Sequence, residues 1–426
     1  MTTARQTNRY QRKGKDDKTA RQEFELSDDT PETNSMPREN SLVSVIMPVF
    51  NGEDFLRDAL ESVINQDYKN IEIIIVNDGS TDSSQKIIEI FALEVKNQFI
   101  IRTLKHSSRK GVSAAKNTGI KVANGSYLAI VASDDLQKKN RISLPLAILQ
   151  NNPAIGIVFL DCEMIDERGL LLNRSKGYPE SMNGNNAMLF QLRRNHLFSG
   201  HFLARMEVCP EFNESIESGV DYEWAWQVLI NNTQIHILAE SIAYYRIHKN
   251  NLSANAKKSG ESVKQIMQSL DFNKIESLLK GKFPAEEIDI PLAWASLAAV
   301  RPKQALNYLQ RISRVSKKMK KEHLFALGVT WFQLKNYECA EKAFRSLVGL
   351  KNSDAAALNN LAVMLSTQGK KKRMIHNLLS RSIQLHPEYR DAADNLRKIA
   401  NNHLQDLRIT ERPLRDTVIH DEHYQL

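Results

Sequence analysis

Five side chains stand out in this sequence by their type and local setting. Asp78 lies in the turn Asn77-Asp78-Gly79-Ser80, directly after the β-branched run at 71–76. Asp134 and Asp135 follow the apolar run at 127–131, Asp221 opens an aromatic stretch of helical pattern, and His248 sits in the polar decapeptide 244–253. A carboxylate just beyond the carboxyl end of a strand can accept hydrogen bonds from a ligand. It can also hold a divalent ion whose remaining ligands are waters and phosphate oxygens. In the first turn of a helix a carboxylate tends to stay ionised, as a proton acceptor must be. A neutral imidazole suits a metal or a phosphate. Each residue also has a plain alternative: a tight turn, an exposed turn pair, a helix cap, a loop histidine.

The elements around them decide between the two. The apolar run at 42–49 reads as a buried strand stopped by Pro48-Val49-Phe50-Asn51-Gly52. Asn51 is expected to cap the next helix, with Asp54 in its first turn. Phe55, Leu56, Ala59, Leu60, Val63 and Ile64 then share one helical face. A strand at 71–76, a helix at 83–95 and a strand at 99–104 follow. Val112, Ala115, Gly119, Ile120 and Ala123 give a helix with one small-residue side, fit for close approach to a sheet, and Asn124-Gly125 turns it into a strand at 127–131. This β-α-β-α-β-α-β order predicts a parallel, doubly wound sheet, with both early turns at its ligand-binding edge. A helix at 141–149 and strands at 155–165 and 235–242 complete this half; residues 166–198 carry no clear pattern.

With Pro48, Phe50, Asn51, Asp78, Gly79, Ser80 and Asp82 in this order, the stretch matches P-x-Y-N, helix, strand, x-D-G-S-x-D. Residues 42–253 thereby resemble the family-2 glycosyltransferases, inverting enzymes of the GT-A fold. The resemblance implies that the loop of Pro48, Phe50, Asn51 and Glu53 flanks a nucleotide's base and ribose, and that Asp78 accepts a hydrogen bond from uracil. It puts Lys116 on the donor, in A-A-K-N for the family's A-R-N, which keeps the charge and loses the bidentate fork. Ala132-Ser133-Asp134-Asp135 stands at the D-x-D position, with Ala132 at the first Asp and Asp134 as the implied ligand of Mn2+ or Mg2+. Asp221, preceded by Val220 where the family has Glu, matches the general base, with Glu223 and Glu217 as its alternatives; Trp224 walls the sugar site or fills the core. Tyr244-Tyr245-Arg246-Ile247-His248 resembles the closing Y-R-x-H-x-x-S-x-S. That implies His248 at the metal or pyrophosphate, with Arg246 and Ser253 in a loop over the donor. The implied reaction moves a sugar from a nucleotide diphosphate, a UDP-sugar, to a hydroxyl acceptor in cell-surface polysaccharide or glycoprotein synthesis. Residues 166–198 fall where such enzymes vary their acceptor contacts.

The second half is organised differently. A helical connector at 264–279 is broken over 281–291, and a period of 34 then appears. Ala326-Leu327-Gly328 recurs as Asn360-Leu361-Ala362, Trp331 as Leu365 and Phe344 as Leu378, the spacing of tetratricopeptide repeats. A shortened unit precedes it at 294–312, and 392–399 reads as a closing helix. The expected division is a disordered tail at 1–40, a GT-A domain at 41–256, a connector at 257–284, helical repeats at 285–401 and a loose tail at 402–426. Net charge is +8, and residues 301–321 hold eight Lys or Arg and no acid. That run reads as a solvated helical face, or as a site for an acidic acceptor protein or an anionic membrane. No recognition motif points to nucleic acid. Cys162, Cys209 and Cys339 are far apart and odd in number, which argues against a disulfide framework or a zinc site and for a reducing compartment, a bacterial cytoplasm. No apolar run has the length of a membrane span. A second class of function stays open beside the enzyme: an interaction scaffold whose transferase site has decayed, for which Ala132 speaks.

Overall fold

The computed structural model describes residues 41–175, 177–249, 251, 256–350 and 354–412. The expected tail at 1–40, Ser253 and residues 413–426 lie outside the described residues. Strand β1 (Val43–Val49), helix α1 (Leu56–Ile64), β2 (Ile71–Asn77), α2 (Ser84–Val95), β3 (Ile100–Lys105), α3 (Val112–Val122) and β4 (Tyr127–Ile130) follow the expected alternation. β1 pairs in parallel with β2 and β4, and β2 with β3. The order 3-2-1-4 reverses beside β1, so the crevice for a ligand opens at the carboxyl ends of β1 and β4.

Then come β5 (Leu136–Gln137), α4 (Ser143–Asn151), β6 (Ile155–Ile165), β7 (Leu171–Ser175), α5 (Ala187–Gln191), β8 (Phe202–Arg205), α6 (Val220–Ile230) and β9 (Gln234–Arg246). β8 runs antiparallel between β4 and β6, while β9 lies parallel to β6. The result is a nine-stranded, mixed and mostly parallel sheet, the α/β GT-A class read from the sequence. Alternate residues of β1 explain its two covered faces. Val43, Val45 and Met47 pack with Leu56, Leu60 and Phe91, whereas Ile46 packs with Ala115 on the other side. A β-carbon at Gly119 would meet Ile46 at 2.6 Å, so the small side of α3 does permit the close approach expected of it.

The helical region comprises α7 (Ala256–Ser269), α8 (Phe272–Leu279), α9 (Ala285–Ala298), α10 (Pro302–Gln310), α11 (Lys320–Gln333), α12 (Tyr337–Val348), α13 (Ala355–Thr367), α14 (Lys372–Leu385) and α15 (Arg390–Ala400). Successive helices pair from α9 onward, and Gly328 of α11 sits where a β-carbon would meet the Phe344 ring of α12 at 2.5 Å. Three local expectations change. The break after α8 is shorter than expected, since α9 starts at Ala285 and carries Pro291 inside it. Asn51 does not cap α1; its side chain is drawn to Thr81 instead. The segment after 402 is tied down as far as Thr410: Arg408 O accepts from Asn395 Nδ2 at 2.7 Å, and Thr410 N donates to Asn360 at 2.7 Å. One apolar core runs from the α3 face of the sheet through α6 into α9–α14. Arg193, just past α5, closes this junction with a two-pronged pair to Glu322 of α11 at 2.5 and 3.0 Å.

Candidate active site

The two turns beyond β1 and β2 are laced together by their own polar groups. Asn51 has φ +49°, and its Oδ1 accepts from Thr81 N at 2.9 Å while its N–H donates to Ser80 Oγ at 3.0 Å. Glu53 accepts from Ser83 N at 2.9 Å, and its own N–H donates to Asp82 at 3.0 Å. Asn51 and Glu53 therefore shape the loop with their side chains. Pro48 is the penultimate residue of β1, beyond the last residue paired with β4. Phe50 stays 38 % exposed, with the Arg109 guanidinium 4.4 Å over its ring. That leaves a flat aromatic and cationic surface at the edge of the crevice.

Asp78 is only 2 % exposed. Oδ1 takes hydrogen bonds from His106 Nδ1 at 2.7 Å and Lys110 N at 2.8 Å, and Oδ2 takes one from Gly111 N at 2.8 Å. His106 Nε2 in turn lies 3.0 Å from Thr118 Oγ1. Gly79 (φ +72°) lies so close to Ser108 and Arg109 that a β-carbon would stand 2.6 Å from their backbone. The N-D-G-S turn thus grips the 106–111 loop. An ionised carboxylate offers about four acceptor positions, and three are filled here.

Asp134 and His248, 114 residues apart, meet with Oδ2 and Nε2 at 2.9 Å. The His248 ring also lies 5.0 Å from that of Phe55. Asp135 is buried; it accepts from Arg246 N at 2.9 Å and faces His201 Nε2 at 3.8 Å. Arg246 is buried as well. Its Nε donates to Asp134 O at 2.9 Å, Nη1 to Glu167 O at 3.0 Å, and its guanidinium stacks 4.7 Å over Phe55. Its geometry holds the Asp134-Asp135 turn rather than presenting a free fork. No group of three or more metal-binding side chains occurs among the described residues. A nitrogen and a carboxylate oxygen converging at one point still fit Mg2+ or Mn2+, which bind nucleotide sites through one or two protein ligands plus phosphate oxygens and water.

Lys116 of α3 points to the other side of the crevice. It is 6 % exposed; its Nζ lies 2.5 Å from Ser199 Oγ, 3.5 Å from Asp221 Oδ1 and 4.5 Å from the centre of the Phe212 ring. Burial lowers its pKa below the usual lysine value, against the opposing pull of Asp221. Ser199 also bonds Asp221 Oδ1 directly. Asp221 lies in the first turn of α6, whose N-cap position is Gly219. Asn117, next to Lys116, fixes the approach to α6 by exchanging 2.8 Å bonds with the backbone of Phe212. Trp224 is fully buried between Phe202 and Phe212, its Nε1 donating to Pro210 O at 2.9 Å, so it belongs to the core. Of the other acids near the base, Glu223 bonds Gln227 at 2.9 Å, and burial raises its pKa.

The structure thus brings the expected residues into two groups, Asp134 with His248 and Lys116 with Asp221. Ser199 bonds Asp221 of the second group, and His201, two residues on, faces Asp135, the neighbour of Asp134. Sequence reasoning missed Ser199, His201, His106 and Arg109. The first two stand just past the unpatterned 166–198 stretch; the other two lie in the loop between β3 and α3, which carries no periodic pattern.

Residues 44–209 match the model of the family described as Glycosyl transferase family 2. Glycosyltransferase GlyG of Streptococcus pneumoniae is 42 % identical over 119 residues, 28 % of this chain and 38 % of that protein. An uncharacterized glycosyltransferase of Rickettsia felis is 33 % identical over 214 residues, 49 % of this chain and 34 % of its own length. The chain therefore spans well under half the length of these relatives. Among solved structures, S. aureus TarS 1-349 in complex with UDP-GlcNAc is similar at 16 % identity and TM-score 0.47, covering 84 % of this chain and 91 % of that one.

Proposed function

With residues 44–209 a family-2 glycosyltransferase domain, we propose that this protein transfers a sugar from a UDP-sugar to a hydroxyl acceptor, with inversion and the help of a divalent ion. The observation that carries the reading is the meeting of Asp134 and His248 at 2.9 Å at the carboxyl edge of the sheet. Phe50 and Arg109 offer a stacking surface for the base, and the fourth acceptor position of Asp78 can take the imide N–H of uracil. Asp134 and His248 would hold Mn2+ or Mg2+, which when bound neutralises charge growing on the diphosphate. Arg246, buried on the backbone of the Asp134-Asp135 turn, keeps Asp134 in place. Asp221, with its side chain 34 % exposed, is the base that takes the proton of the acceptor hydroxyl.

The helical region is assigned to acceptor recruitment as a tetratricopeptide-like array. In support, Lys371, Arg373, Met374, Asn377, Leu378 and Arg381 line a concavity of ≈ 370 Å³ without an acid among them, which suits an acidic protein acceptor with apolar side chains. The basic run at 301–321 contributes less than its length suggests, because Arg311 is spent on Asp289 and Glu276 at 2.5 and 2.9 Å. The decayed-scaffold reading rests on Ala132; two assembled polar groups across the crevice count against it. Hydrolysis of a panel of UDP-sugars, with and without manganese, tests the proposal. Turnover of one sugar with manganese is expected, and no turnover of any donor favours the scaffold.

A further inference from the structure

We propose that Lys116 and Ser199 are positioning residues for the Asp221 carboxylate, fixing which of its oxygens meets the acceptor. This rests on the reading of Asp221 as the base. The direction of the bonds follows from chemistry alone. An ammonium only donates and a carboxylate only accepts, so the Ser199 hydroxyl between them must accept from Lys116 and donate its single proton to Asp221. The three N–H groups of Lys116 are then accounted for by Ser199, by Asp221 Oδ1 at 3.5 Å and by the Phe212 face at 4.5 Å. A lysine so enclosed has no N–H left for a donor phosphate, which takes it off the nucleotide side where its place in the A-A-K-N segment first put it.

The consequence falls on Asp221. Ser199 bonds Oδ1, Lys116 Nζ lies 3.5 Å from the same oxygen and, among the described residues, no hydrogen bond engages Oδ2. The carboxylate is pinned through one oxygen, and its side chain remains 34 % exposed. Oδ2 takes the proton while the acceptor oxygen bonds to the anomeric carbon and the diphosphate leaves with the electrons of the broken bond. Ser199 is fully buried, and Asn117 holds the backbone leading into α6, so neither end of the relay can drift. Fixing a proton acceptor in line is worth orders of magnitude when a reaction depends on orientation.

The test uses the full chain, with UDP titration for binding and hydrolysis of the UDP-sugar that the donor panel identifies for turnover. Ser199→Ala is expected to lower kcat about 10- to 100-fold and leave UDP affinity within twofold. Ser199→Thr, which keeps the hydroxyl, is expected to restore most of the loss. Lys116→Met should show the same split. Ten-fold weaker UDP binding in Lys116→Met makes this lysine a donor ligand and overturns the proposal, as does unchanged kcat in Ser199→Ala. Asp221→Asn separates the two layers of the argument. If it retains turnover, the base assignment fails; if it is inactive while Ser199→Ala is fully active, only the positioning fails. Should Ser199→Ala not fold, failure of the Thr variant to hold kcat decides against the idea.

Discussion

Replacing Asp78 by alanine removes one carboxylate and three hydrogen bonds, from His106, Lys110 N and Gly111 N. Each bond to an ionised acceptor is worth about 1.5–3 kcal/mol net. The three share one group, and water entering the space satisfies part of the freed loop, so the loss of stability is about 3–5 kcal/mol rather than their sum. At roughly 2 °C per kcal/mol for a large domain, the melting temperature falls by about 6–10 °C. Asp78→Asn keeps one oxygen but turns an amide N–H₂ toward the other partners. It forfeits about 1.5–3 kcal/mol, a smaller drop in the same direction. Scanning calorimetry of the two variants measures this, and titration with UDP measures the second consequence, weaker binding as the 106–111 loop loses its shape. A melting temperature for Asp78→Ala within about 1 °C of the unaltered chain refutes the reasoning, since three bonds to a buried carboxylate cannot be worth so little. Lost stability with unchanged UDP affinity leaves Asp78 as a structural clasp and removes the base pocket from this turn.

Asp134→Asn should abolish manganese stimulation of donor hydrolysis with little change in melting temperature; full activity in excess chelator removes the metal from the proposal. Lys116 has a folded pKa lowered from 10.5, chiefly by burial, so above that lowered value the unfolded chain binds more protons and stability rises with pH up to about 10.5. The melting temperature gained by Lys116→Met should therefore be larger at pH 7 than at pH 10, and an equal gain at both is the contrary result. Glu322→Ala strands Arg193 and frees Trp294 Nε1 at the junction of α5 with α9 and α11, lowering stability by about 1–3 kcal/mol in denaturant titrations. Because Val220 and Tyr222 of α6 share one core with Ile266, Met267, Phe272 and Ile275, a chain cut at Gly260 should not fold, and recovery of a cooperative, UDP-binding fragment contradicts that shared core.

The sequence by itself determined the alternation of the first half, because a strand covered on both faces is apolar at nearly every position and a helix at one stripe; 56–64 carries the stripe, and 71–76 carries the run broken only by Glu72, whose buried carboxylate takes a bond from Ser44 Oγ at 2.6 Å. It also determined which carboxylates stand at strand ends, since the chain order of turns is local information. It did not determine where their charges go. Asn51 looked like a helix cap because capping is judged from three or four neighbours, yet Thr81, thirty residues on, offers its N–H at 2.9 Å. Lys116 reads as a donor ligand by its neighbours in sequence, yet Ser199, in the segment leading into β8, lies 2.5 Å from its Nζ, a partner that no local pattern announces. Likewise the 34-residue period announced paired helices, whereas their fusion to the sheet depends on α6 and α5 presenting apolar faces to α7, α8 and α9. Period and pattern act along the chain. Partners for buried charges, and the surfaces that close a core, are chosen across it, where only the fold brings them within hydrogen-bonding distance.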